Sequence, residues 1–113
     1  MFNHENFEAY NLAILYWESA LRLIDTIPAG HSVIRDQLKR ASSSIPLNIA
    51  EGSGRTKQDD RKRFYAIARG SALECAAIAD LLIRLDPDNA KEIKESKELL
   101  HSIASILSAI ILK

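Results

Sequence analysis

Apolar residues return every third or fourth position along most of the chain, and only three short breaks carrying Pro or Gly separate the runs. That spacing is the mark of amphipathic helices, whereas strands would need alternation at every second residue. The first run spans about Glu5 to Ile27, with Phe7, Tyr10, Ile14, Trp17, Leu21 and Ile24 as its seam, and Pro28-Ala29-Gly30 ends it. A second run from about Ser32 places Ile34, Leu38, Ala41, Ile45 and Ile49 on one side before Gly52-Ser53-Gly54 stops it. A third, from about Asp59 to Leu85, reads Phe64, Ile67, Ser71, Glu74, Ile78, Leu81 and Leu85 in steps of three and four. After Asp86-Pro87 the fourth run carries Ile93, Leu100, Ile103, Leu107 and Ile110. Pro46 lies inside the second run. A proline removes one backbone donor and crowds the preceding turn, so it predicts a kink near Ser42 or a break with Pro46 opening a new turn, continuation of the helix past it being the other alternative.

Helices of roughly 20 to 28 residues at ~1.5 Å per residue match one another in length, and their connections are short. The predicted fold is therefore all-α, an antiparallel up-down-up-down four-helix bundle formed by residues 1–113 as a single domain. At 47% hydrophobic, 113 residues can bury one modest core. The fourth helix carries more apolar surface than one seam uses, because Leu99, Ile106, Ile111 and Leu112 widen its stripe toward a second side. A helix apolar on two sides is buried on two sides, so either it sits centrally in the bundle or it contributes to a subunit interface, and a homo-oligomer is the favoured expectation. The lone Cys75 permits no internal disulfide and sits in the apolar stretch Ala72 to Ile83, as a small core residue in a reducing compartment would. The amino terminus has neither the basic start nor the apolar run of a secretory signal, and Ile103 to Leu112 is too short to span a bilayer. A cytoplasmic location with no membrane partner is the expectation.

The net charge of zero hides an uneven distribution. Residues 31–70 hold nine Lys and Arg against four Asp and Glu, a local charge of +5 that the remainder offsets with −5. Such asymmetry suits either a surface for a polyanion or complementary halves of an assembly. Arg35, Lys39, Arg55, Lys57, Arg61, Lys62 and Arg69 project from the seams or lie in the loop between the second and third helices, where they can meet phosphates. Few exposed aromatics are expected among them, Tyr65 being the exception, so base stacking and sequence readout are expected to be weak.

Beside those charges runs a polar edge. Gln37, Arg40, Ser44, Asn48 and Glu51 fall along one side of the second helix, while Arg63, Gly70 and Glu74 line one side of the third. A partly buried Glu74 needs a cation, with Arg40 or Arg63 in reach, and Gly70 would let two backbones approach closely. This network is expected to specify register and assembly; the catalytic alternative is a Glu51–Glu74 acid–base pair, which no nucleophile, metal ligand or phosphate cradle accompanies. Glu98 and His101 have the spacing of a di-metal carboxylate motif, yet on a helical wheel they lie roughly 150° from the fourth seam and no second such motif exists. Ser42, Ser43 and Ser44 have no histidine placed to activate them, and Gly52-Ser53-Gly54-Arg55 lacks the Gly-Lys-Ser/Thr of a P-loop. No enzyme, cofactor or metal is expected.

The run Gln37-x-x-Arg-Ala-x-x-Ser-Ile-Pro-x-Asn-Ile-Ala-Glu-Gly-x-Gly-Arg55, with Arg63-Phe-x-x-Ile-Ala-x-Gly-Ser-x-x-Glu74, resembles the bacterial family named for proteins encoded in intervening sequences of 23S rRNA genes. The likeness is tight over the central third, and the flanking helices agree in length and pattern, Phe7 and Trp17 included. It departs little, Ile27-Pro28 standing where the family often has Phe-Pro. The resemblance implies a four-helix bundle that assembles as a ring-like homopentamer with a basic outer surface suggested to bind nucleic acid. A related branch, the accessory proteins of diversity-generating retroelements, shares the bundle and is associated with a reverse transcriptase and its template RNA. RNA and a protein partner are thus the two candidate ligands, and an oligomeric protein-interaction scaffold is the alternative to RNA binding.

Overall fold

The computed structural model describes residues 1–113 and contains four long helices and no strand. They are α1 (Glu8–Thr26), α2 (Ser32–Ser53), α3 (Gln58–Leu85) and α4 (Ala90–Ile111), with short 3₁₀ turns at Asn3–Asn6, Ala29–His31 and Pro87–Asn89. Each helix packs against two others, in the pairs α1/α2, α2/α3, α3/α4 and α1/α4. The body measures 44 × 25 × 21 Å. Breaks fall where Pro and Gly placed them, and α1 starts three residues later than its periodicity suggests because Asn3–Asn6 forms a separate turn. No helix is long and apolar enough to cross a membrane.

Pro46 breaks nothing, since α2 runs without interruption from Ser32 to Ser53. The ring is buried, and one turn earlier the Ser43 hydroxyl donates to the carbonyls of both Lys39 and Arg40 at 3.1 Å. Burial of a long apolar face holds the helix together through the missing bond.

The seams of α2 and α4 are the expected ones: Leu38, Ala41, Ile45 and Ile49 are buried, as are Ile93, Leu100, Ile103 and Leu107. Those of α1 and α3 are displaced by about one residue. In α1 the core takes Ala9, Ala13, Tyr16, Ala20 and Leu23, keeping Ile24 of the expected set and leaving Trp17 and Leu21 exposed. In α3 it takes Tyr65, Ala68, Ala72, Cys75, Ala79 and Leu82, leaving Ile67, Leu81 and Leu85 exposed and keeping only Ile78 of the expected set. The physical reason is complementarity of size. Large Leu and Ile of α2 and α4 fill the interior, so α1 and α3 turn their Ala-rich stripes inward and the helices interdigitate at close-packed density. Excess apolar surface therefore lies mainly on α1 and α3, with Val33 and Leu47 of α2 also exposed. In α4, Leu99, Ile106 and Ile111 are already packed against the core, and only Leu112 stands free.

Two glycines behave oppositely. A Cβ on Gly52 would sit 2.8 Å from Tyr65 Cε1 and 3.1 Å from Phe64 Cβ. Tyr65 cannot move aside easily, being buried, bonded through its hydroxyl to Ser53 at 3.0 Å and packed on Phe7 with ring centroids 5.7 Å apart. Gly70, expected at a close backbone approach, has open space where its Cβ would be. Gly52→Ala is predicted to cost about 1–2 kcal/mol net, overpacking outweighing the gain in helix propensity. Gly70→Ala is predicted to add about 0.5–1 kcal/mol. Urea unfolding of both variants checks the pair, and a loss at Gly70 would reveal another body seated against it.

Candidate nucleic-acid interface

The α2–α3 connection is tight because Gly52 lets Tyr65 lie against the end of α2, and this packing gathers cations from both helices. Arg55 and Arg63 each place a guanidinium 4.6 Å from the centroid of the Phe64 ring. Stacking of this kind holds a guanidinium flat while its edges remain available for hydrogen bonds. The buried Nε of Arg55 has no hydrogen-bond partner, and contact with the ring offsets part of its lost hydration. Its Nη2 reaches Glu51 at 3.5 Å. Arg61 donates its Nε to the Arg55 carbonyl at 2.6 Å, which fixes the side chain and leaves the outer guanidinium nitrogens free of ion pairs. Lys57 and Lys62 complete the cluster, also without ion pairs.

Of the seven cations singled out from sequence, the fold brings together Arg55, Lys57, Arg61 and Lys62 and sets the other three apart. Arg35 sits at the far end of α2, some 27 Å away at ~1.5 Å per residue. Its Nη2 donates to the Ile27 carbonyl at 2.7 Å, closing the end of α1. Lys39 lies with Arg35 in a groove against Leu21, Ile24 and Asp25 of α1. Arg69 turns toward α4 and donates to the Ser108 hydroxyl at 2.6 Å. Arg63, assigned from sequence to the polar edge, belongs spatially with the cationic cluster. Arg55 and Arg63 are separated by a turn whose geometry no local pattern specifies, so their shared contact with the Phe64 ring is invisible in the sequence.

The polar edge is only partly a network. Ser44 and Ser71 hydroxyls bond across α2 and α3 at 2.8 Å, and Asn48 Nδ2 donates to the Ser44 carbonyl at 2.8 Å and to its hydroxyl at 2.9 Å. Glu51 joins the cluster through Arg55. Gln37, Arg40 and Glu74 are exposed, and Glu74 forms no ion pair with Arg40 or Arg63, which corrects the expectation of a buried carboxylate. The reason is the displaced seam of α3: with Ala72 and Cys75 inward, Glu74 faces out. Glu51 and Glu74 are both exposed. Glu98 and His101 are also exposed.

Sequence reasoning overlooked a cleft of about 510 Å³ beside the cationic cluster, where Arg61, Lys62, Gln58 and Tyr65 of α3 meet Thr56 of the turn and Phe7 before α1. It brings the chain start against the α2–α3 turn, a juxtaposition with no local signal.

No curated protein matches the chain. Residues 5–109 match the family described as 23S rRNA-intervening sequence protein, so nearly the whole chain is covered and the protein belongs to that family.

Proposed function

We propose that this member of the 23S rRNA-intervening sequence protein family is a non-enzymatic, oligomeric bundle that binds RNA through the basic end of α2 and α3. The observation that carries the reading is the concentration of Arg55, Lys57, Arg61, Lys62 and Arg63 within nine positions, of which only Arg55 makes an ion pair. Clustered free cations supply the sequence-independent part of nucleic-acid affinity by displacing counterions from phosphates. Few aromatic faces accompany them, so recognition is by charge and shape.

The up-down-up-down arrangement is part of this proposal, supported by contacts that run in opposite order along neighbours: Arg69 with Ser108 and Asp80 with Lys97 in α3 and α4, Ser44 with Ser71 and Ser53 with Tyr65 in α2 and α3. Self-association is supported by Trp17, Leu21, Ile67, Leu81 and Leu85, which stand exposed, and by Arg40 and Glu74, which have no ion-pair partner within the chain. A pentamer is the number the family resemblance implies, and a ring would repeat the basic end and bind polyanions through many weak contacts. The cytoplasm, where RNA is found, is the compartment this reading requires. The same exposed apolar side chains favour the second reading, a scaffold for a protein partner such as a reverse transcriptase.

The test is binding of a structured RNA by fluorescence anisotropy across a salt series, with particle mass by light scattering on the same sample. The expected result is micromolar or tighter affinity that falls steeply as salt rises. An intact oligomer that ignores RNA at low salt would refute RNA binding and turn attention to the scaffold.

A further inference from the structure

We infer that the cleft beside the cationic cluster holds the terminal phosphate of an RNA strand, so that the protein recognises a strand end as well as a charged backbone. This rests on the RNA-binding reading and adds a ligand chemistry to it. The cleft volume of about 510 Å³ lies within the range of small-ligand sites, about 300–1,000 Å³. Its α3 wall is selective in charge: Gln58, Arg61, Lys62 and Tyr65 line the cleft, while Asp59 and Asp60 do not. At ~100° per residue those two acids fall on other faces of the helix.

A terminal phosphomonoester carries about −1.5 to −2 charges and three acceptor oxygens. Arg61, Lys62 and the Lys113 side chain line the cleft with positive charge, and the Gln58 amide and Thr56 hydroxyl supply neutral donors. An internal phosphodiester, with one charge, would leave more of that positive charge unmatched than a terminal phosphate does. Arg61 is held in place by its bond to the Arg55 carbonyl, so less side-chain freedom is lost on binding. Phe7 and Tyr65, packed on each other with the Tyr65 hydroxyl bonded to Ser53, form an apolar wall for the terminal ribose.

The experiment compares one short single-stranded RNA carrying a 5′-phosphate, a 3′-phosphate or neither, and adds a free nucleoside monophosphate as a fourth probe. A terminally phosphorylated strand is expected to bind at least about tenfold tighter than its unphosphorylated twin. In the double variant Arg61→Gln, Lys62→Gln that difference disappears. Equal affinity of phosphorylated and unphosphorylated strands for the unaltered protein overturns the strand-end site and leaves RNA binding standing, without reliance on any variant. A monophosphate that binds as tightly as the phosphorylated strand overturns it too, by identifying a free nucleotide as the ligand. If no RNA binds, both readings fall.

Discussion

Changing Lys57, Arg61 and Lys62 together to Glu lowers affinity for a structured RNA by at least about 100-fold at low salt and flattens the dependence of log affinity on log salt by about 2 to 3, because each cation lost is a phosphate no longer neutralised. Three cations become three anions at the one place where the chain concentrates free positive charge, so repulsion adds to lost attraction. Arg69 is left unchanged because it bonds Ser108 across α3 and α4, and reversing it would disturb packing as well as charge. None of the three chosen residues makes an ion pair, and the one hydrogen bond lost, from Arg61 to the Arg55 carbonyl, is exposed, so the melting temperature is expected to fall little. The control reverses Arg84, Lys91 and Lys94, an identical change of charge. They sit at the opposite end of α3 and at the start of α4, with Arg84 some 33 Å from Lys62 at ~1.5 Å per residue, more than three Debye lengths at 0.1 M salt. A control that weakens binding as much as the test variant would show that net charge alone, with no localised surface, attracts RNA.

Stability is expected to fall above pH 9, and the cause lies in the core, between Tyr16 of α1 and Cys75 of the diagonally placed α3. The Cys75 thiol is fully buried and its pKa is raised from 9.0 to about 12, chiefly by burial. The neighbouring Tyr16 hydroxyl lowers the value in part, and the nearby Glu74 charge raises it. Tyr16 is itself raised above its usual 10.0, by burial first and then by Cys75. In the unfolded chain the thiol loses its proton near pH 9, whereas the folded chain keeps it, so the unfolded state binds fewer protons and stability decreases as pH rises. The contribution is fully present below pH 9 and is lost progressively as pH rises to about 12, by roughly a kcal/mol per pH unit from Cys75. Against a usual total of about 5–15 kcal/mol, that loss is large. Urea unfolding at pH 8, 9, 10 and 11 measures it, and Cys75→Ala should show a shallower decline. Equal stability of the unaltered protein at pH 8 and pH 11 would contradict the burial of this pair.

Strand or helix was legible from local sequence, because a helix satisfies its backbone within itself and needs only a periodic apolar face. Three breaks carrying Pro or Gly marked the ends of α1 to α4 to within a few residues. The seams of α2 and α4 were legible too, since each offers one dominant stripe of large side chains. In α1 and α3 two stripes compete. Periodicity favours the larger residues, Trp17 and Leu21 or Ile67 and Leu81, and packing chose the smaller, Ala13 and Ala20 or Ala72 and Cys75.

That choice belongs to tertiary structure alone, because it depends on the volume the facing helices leave free. It then decided what else the sequence had left open, turning Glu74 outward and leaving the larger apolar residues of α1 and α3 exposed. Likewise, the sequence by itself determined that the middle of the chain is basic, a matter of composition. Tertiary structure decided which charges act together: Gly52 admits Tyr65 against α2, and that contact gathers Arg55, Arg61, Lys62 and Arg63 at one end while Arg35 and Arg69 bond elsewhere. Charge is carried residue by residue along the chain, but a binding surface is a distance in space, and only the packed bundle sets that distance.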